Sequence, residues 1–169
     1  MPSSDFLKSG KAFNATCKLL KDLEILSHRV NAILEFIDPD HYKEVKKFNA
    51  ELLKHVSGAE ALSGMDPLLY EGREVIFNRE SAEHIDLQDP PFGWAILCAF
   101  GDSTGGWVHF RHTGLWARYD PGDILAIRGR IMPHSVSKII SGTRISIPHF
   151  THASVWRSFG MESAVFKLP

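Results

Sequence analysis

The stretch from Trp94 to Ile127, WAILCAFGDSTGGWVHFRHTGLWARYDPGDILAI, decides the fold. It breaks into short apolar and aromatic runs at Trp94–Phe100, Trp107–Phe110, Leu115–Tyr119 and Ile124–Ile127, separated by Gly101-Asp102, Gly105-Gly106 and Pro121-Gly122-Asp123. Runs this short, bounded by residues that tolerate tight turns, predict strands rather than helices. The same pattern extends upstream to Glu74–Phe77 and downstream to His134–Val136 and Arg144–Phe150, the last preceded by Ser141-Gly142. Many short strands with regular turn signals predict a sandwich or barrel.

Before residue 70 the period changes. Leu19, Leu20, Leu23, Leu26, Val30, Ile33, Leu34 and Ile37 recur at the three-and-four spacing of an amphipathic helix, predicted over Ala15–Ile37. Asp38 then caps a second helix with Pro39 at its first position, and Tyr42, Val45, Phe48, Leu52 and Val56 carry the stripe to a stop at Ser57-Gly58. Residues 59–70, with Gly64 and Pro67, read as a connection. The expected organisation is a helical segment over 1–70 buttressing a β core over 71–169, together one structural unit of α+β (mainly β) class.

A chain of 169 residues, 44% hydrophobic and 23% charged, has an ordinary globular composition. A formal net charge of −1 gives no global attraction to polyanions, so any nucleic-acid affinity has to come from a local basic face or a shaped pocket. Arg111, Arg118, Arg128, Arg130, Lys138 and Arg157 are candidates for such a rim. Cys17 and Cys98 are too few for a thiolate zinc site or a disulfide framework, which points to a reducing, intracellular setting. The polar opening Met1-Pro2-Ser3-Ser4-Asp5 does not read as a signal peptide, and no apolar run is long enough for a membrane span.

The chemistry centres on His84-Ile85-Asp86. In an extended segment side chains alternate, so His84 and Asp86 share a face. With nine His and ten Asp in the chain, a His-x-Asp arises by chance about 0.5 times, so the motif means little alone. His134 lies 48 residues beyond Asp86 at the head of a predicted strand, and two His with one carboxylate form the facial triad of non-haem Fe(II) oxygenases. Arg144 follows ten residues later. Its guanidinium suits a distal carboxylate, and Ser146, on the same face of the strand, adds a hydroxyl. Alternatively, His84 and Asp86 are loop residues and Arg144 pairs with Asp123.

With these residues the sequence resembles the jelly-roll 2-oxoglutarate dioxygenases, and within them the ten-eleven-translocation and J-base-binding-protein (TET/JBP) oxygenases of 5-methylpyrimidines, including the short forms numerous in mushrooms. The resemblance runs over about residues 77–156, through Asn78-Arg79-Glu80-Ser81, His84-Ile85-Asp86, Gly105-Gly106, Tyr119-Asp120-Pro121-Gly122-Asp123 and Arg144-Ile145-Ser146-Ile147-Pro148-His149-Phe150-Thr151-His152. It implies a double-stranded β-helix with Fe(II) at His84, Asp86 and His134. It further implies 2-oxoglutarate at Arg144, Ser146 and Arg79, O₂ as co-reactant, and a flipped base held by Phe150, His152 and Asp89. The implied reaction is oxidation of 5-methylcytosine in DNA to 5-hydroxymethylcytosine and further, towards DNA demethylation, in the nucleus. Two other readings remain: the same chemistry on a free nucleobase or nucleoside, a methylated RNA or a small molecule, and a non-catalytic β-barrel binding module. Trp94, Trp107, Trp116 and Trp156 are assigned to packing, and His109, Arg111 and His112 either to the mouth of the site or to an exposed hairpin.

Overall fold

The computed structural model describes residues 8–161, so the polar opening Met1–Asp5 lies outside them. The chain divides into two compact units, Met1–Glu71 and Gly72–Pro169.

The first unit is helical: α1 (Gly10–Asp22), α2 (Glu24–Ile37), α3 (Pro39–His55) and the short α4 (Ala59–Ser63). The single helix expected over Ala15–Ile37 is two. Leu23 donates its N–H to both Leu19 and Leu20 carbonyls, tightening the last turn of α1, and α2 restarts at Glu24. A one-residue break leaves the apolar spacing intact, which is why periodicity runs through it. Asp38 caps α3 as expected: its Oδ1 accepts the His41 N–H at 2.9 Å, with Pro39 at the first helical position. Asp38→Ala is expected to lower stability by about 1 kcal/mol, read as a reduced urea midpoint at unchanged slope. Residues 59–70 are not only a connection, since α4 forms there. None of the described helices is long and apolar enough to cross a membrane.

The second unit carries β1 (Gly72–Arg73), β2 (Ile76–Phe77), β3 (Ser81–His84), β4 (Ala95–Gly101), β5 (Thr104–Gly105), β6 (Val108–Phe110), β7 (Leu115–Ala117), β8 (Ile124–Ile127), β9 (His134–Val136), β10 (Ile139–Ser141), β11 (Arg144–Phe150) and α5 (Ala153–Ser158). The larger antiparallel sheet has the order β1-β11-β4-β8, with β2 also on β11; the smaller is β3-β9-β6-β7, and β10 pairs β5. The inner faces share a core of Ala95, Ala99 and Ile127 from the larger sheet with Val108 and Phe110 from the smaller, and Tyr119 between. This is the jelly roll of a double-stranded β-helix, α+β in class. Strands β1, β3, β5 and β10 were not expected. Ser81-Ala82-Glu83-His84 has no β-branched or aromatic residue, and it is extended because β9 pairs with it.

Candidate active site

A cavity of about 440 Å³ opens between the two sheets, within the roughly 300–1,000 Å³ of small-molecule sites. Each of the nine residues singled out from the sequence lines it: Arg79, His84, Asp86, Asp89, His134, Arg144, Ser146, Phe150 and His152.

Strand register brings the two histidines together. His84 on β3 is the direct cross-strand partner of His134 on β9, and their ring centroids lie 4.4 Å apart. The His84 Nδ1–H donates to the Ala82 carbonyl at 2.8 Å and the His134 Nδ1–H to the Met132 carbonyl at 2.9 Å. A carbonyl only accepts, so both Nε2 atoms keep their lone pairs, the tautomer a metal ligand needs. The Asp86 carboxylate meets them, with Oδ1 3.7 Å from His84 Nε2 and Oδ2 3.9 Å from His134 Nε2. One ligand atom from each residue lies within 4.8 Å of the others. Two neutral imidazoles and one carboxylate could hold a divalent first-row cation and leave coordination positions open.

Asp86 does not reach this place by strand alternation, because β3 ends at His84. The turn after it is fastened to the loop before β9: Asp86 N–H donates to Gly129 O at 3.0 Å, and Arg130 donates to Leu87 O at 2.8 Å. Gly129 is the residue sequence reasoning missed. A Cβ there would fall 1.9 Å from Asp86 Oδ2, so only glycine leaves the carboxylate its position. Gly129→Ala is expected to weaken Mn(II) binding about 10- to 100-fold in calorimetry while the protein stays folded.

Arg144, at the head of β11, is only 2% exposed yet faces no carboxylate among the described residues. It donates to backbone carbonyls instead, Gly106 O at 2.6 Å and Arg79 O at 3.2 Å, and lies 5.2 Å from the Tyr119 ring centroid. Desolvation lowers its pKa from the usual value. The alternative pairing with Asp123 does not occur; that carboxylate accepts the Asp120 N–H. Gly106, at φ +69°, brings its backbone in so closely that a Cβ would lie 2.2 Å from Arg144 Nη1. Asn78 fixes the arginine backbone reciprocally, donating its N–H to Arg144 O and accepting the Arg144 N–H on Oδ1 at 2.7 Å. Tyr119 O–H and Ser146 Oγ are hydrogen-bonded at 2.8 Å beside it. A buried cation surrounded by neutral acceptors is uncompensated, and the chemistry that completes it is an anion.

The third group lies where β11 ends. Phe150 and His152 have ring centroids 4.8 Å apart, and His152 Nδ1 lies 3.3 Å from Asp89 Oδ1. Ala153 N–H donates to Gln88 O at 2.7 Å and holds the two segments together. Burial and the like charge of Asp86 push the Asp89 carboxyl up to about 6, against the pull of His152. Gly72 packs against Phe150, where a Cβ would come 2.5 Å from the ring, so glycine there leaves the ring its position.

The expected basic rim does not line the cavity. Arg111 pairs with Glu83 at 3.7 Å, Arg118 with Asp120, and Arg128 lies 4.6 Å from the Trp94 ring centroid. His109 stacks on Trp116 at 4.1 Å, outside the cavity.

A family model described as Tet_JBP, oxygenase domain of the 2OGFeDO superfamily, matches residues 5–153. Comparison with curated proteins finds no match. Among solved structures the chain is similar to one described as NgTET1 in complex with 5mC DNA, with a TM-score of 0.66 and 17% identity, covering 89% of this chain and 55% of that one. The chain thus spans about half the length of that relative, and the likeness is one of fold.

Proposed function

Because the chain belongs to the Tet_JBP family, the oxygenase domain of the 2OGFeDO superfamily, and is therefore an Fe(II)- and 2-oxoglutarate-dependent dioxygenase, we propose that its substrate is 5-methylcytosine in DNA, oxidised first to 5-hydroxymethylcytosine. In this reading His84, Asp86 and His134 hold Fe(II), while Arg144 and Ser146 grip the far carboxylate of 2-oxoglutarate and Arg79 binds it nearer the metal. When bound, the iron, 2-oxoglutarate and O₂ together supply the oxidation, in which the keto acid becomes succinate and CO₂ and one oxygen atom enters a methyl C–H bond.

The residues' own work is positioning and exclusion of water. The carbonyls of Ala82 and Met132 keep both imidazoles in the ligating tautomer. Tyr119 orients the Ser146 hydroxyl beside Arg144. An extruded base stacks on Phe150, with His152 and Asp89 meeting its polar edge; these contacts offset the few kcal/mol that extrusion costs. The observation that carries the reading is the single cavity lined by the His-Asp-His cluster, an uncompensated buried Arg144, and the Phe150–His152–Asp89 group. NgTET1 was captured with 5mC DNA, which supports the same substrate for this fold. A DNA substrate implies a nuclear site of action.

A free nucleobase or nucleoside is the second reading, favoured by one observation: Arg111 and Arg118, expected at the rim, are paired with carboxylates, and the arginines that line the cavity are Arg79 and Arg144. Incubation with Fe(II), 2-oxoglutarate and a methylated duplex, followed by digestion and mass spectrometry, separates the two. Oxidised cytosine in the DNA digest is the expected result; turnover of free 5-methyldeoxycytidine with none in DNA would sink the first reading.

A further inference from the structure

We propose that the Ser81 hydroxyl is a further ligand of 2-oxoglutarate, donating to one of its carboxylate oxygens. The inference rests on the functional reading above and deepens it. Ser81 opens β3 and lines the cavity; its Oγ is buried and has no hydrogen-bond partner. Buried hydroxyls are nearly always satisfied, and one left without a partner beside a cavity points to a ligand that supplies it. Ser103 Oγ is also unpartnered, but that residue does not line the cavity.

The place of Ser81 along the chain says which ligand. Three residues earlier, Asn78 is bonded reciprocally to the Arg144 backbone, and the Arg79 carbonyl takes the Arg144 guanidinium. Three residues later, His84 enters the metal cluster. Residues 78–84 therefore run from the cation to the metal site, with Ser81 midway. A dicarboxylate that reaches from Arg144 to the metal spans the same two points and passes along that wall. The neighbouring strands offer Ser81 little else, since its register partner Val136 and Val108, paired with Val136 on the next strand, are apolar. The Phe150–His152–Asp89 group lies on other segments.

Calorimetry and melting with Mn(II) and N-oxalylglycine, an unreactive 2-oxoglutarate analogue, test this. Because the hydroxyl has no partner in the ligand-free protein, Ser81→Ala is expected to melt at the wild-type temperature or above it. Its affinity for the analogue is expected to fall about ten- to hundredfold, the loss of one hydrogen bond to a charged group. Ser81→Cys keeps the volume with a much weaker donor and is expected to show the same loss. Analogue binding by Ser81→Ala within twofold of wild type would overturn the inference and leave the functional reading intact. A lower melting temperature without the analogue would overturn it too, by showing that the hydroxyl serves the fold. Wild-type protein that holds Mn(II) but not the analogue would remove the reading itself, and the inference with it.

Discussion

Asp86→Ala is expected to abolish turnover, by about three orders of magnitude or more, and to reduce Mn(II) binding below calorimetric detection. Asp86 is the one anionic donor of the cluster; without it a divalent ion meets two neutral imidazoles and no charge compensation. Nor is the gap easily filled by another group. Asp89 follows in the same turn, but its carboxylate is engaged with His152, Oδ1 lying 3.3 Å from Nδ1. The fold should survive, because the anchors of that turn are backbone groups, Asp86 N–H to Gly129 O and Asp89 N–H to Asp86 O, which alanine retains. Wild-type metal affinity in Asp86→Ala would move the metal site elsewhere.

The second large effect is expected at Arg144→Met. Breaking a buried charge pair by removing one partner costs about 3–5 kcal/mol, so the KM for 2-oxoglutarate should rise about 150- to 4,000-fold. Mn(II) binding should stay within a few-fold of wild type, since the triad is built on β3, β9 and the turn after β3. Ligand-free stability should change little. Methionine fills the space of the aliphatic stem, and loss of the hydrogen bonds to Gly106 and Arg79 carbonyls is set against relief of an uncompensated buried charge. A KM within tenfold of wild type would place the cosubstrate carboxylate on another cation, for which Arg79 is the candidate in the cavity lining.

Most of the candidate site was legible because its residues carry distinctive chemistry in fixed order: His-x-Asp, a strand-opening His, then Arg, Ser and Phe along one strand and a His two residues past its end. The parts that were not legible depend on pairing and on missing atoms. No pattern in Ser81–His84 marks a strand, and its state is set by β9 far along the chain. Gly129 matters through the absence of a Cβ near a carboxylate 43 residues away, which has no signature in a sequence containing 13 glycines. Asp86 was assigned to the right place for an incomplete reason, since a loop anchor rather than alternation brings it in. The helical break at Leu23 was hidden because one residue does not disturb a three-and-four period.

Strand β3 lies at the end of the smaller sheet, so among the described residues one of its sides has no neighbouring strand. Unpaired edges are where another chain can add on and where aggregation starts. This edge also bears His84, and an ion shared with Asp86 and His134, as proposed, would pin it to the strand beside it. Amide exchange across residues 81–84 should therefore slow when the metal is loaded. On the proposed reading, iron scarcity would act on the molecule twice, silencing its chemistry and loosening an edge strand.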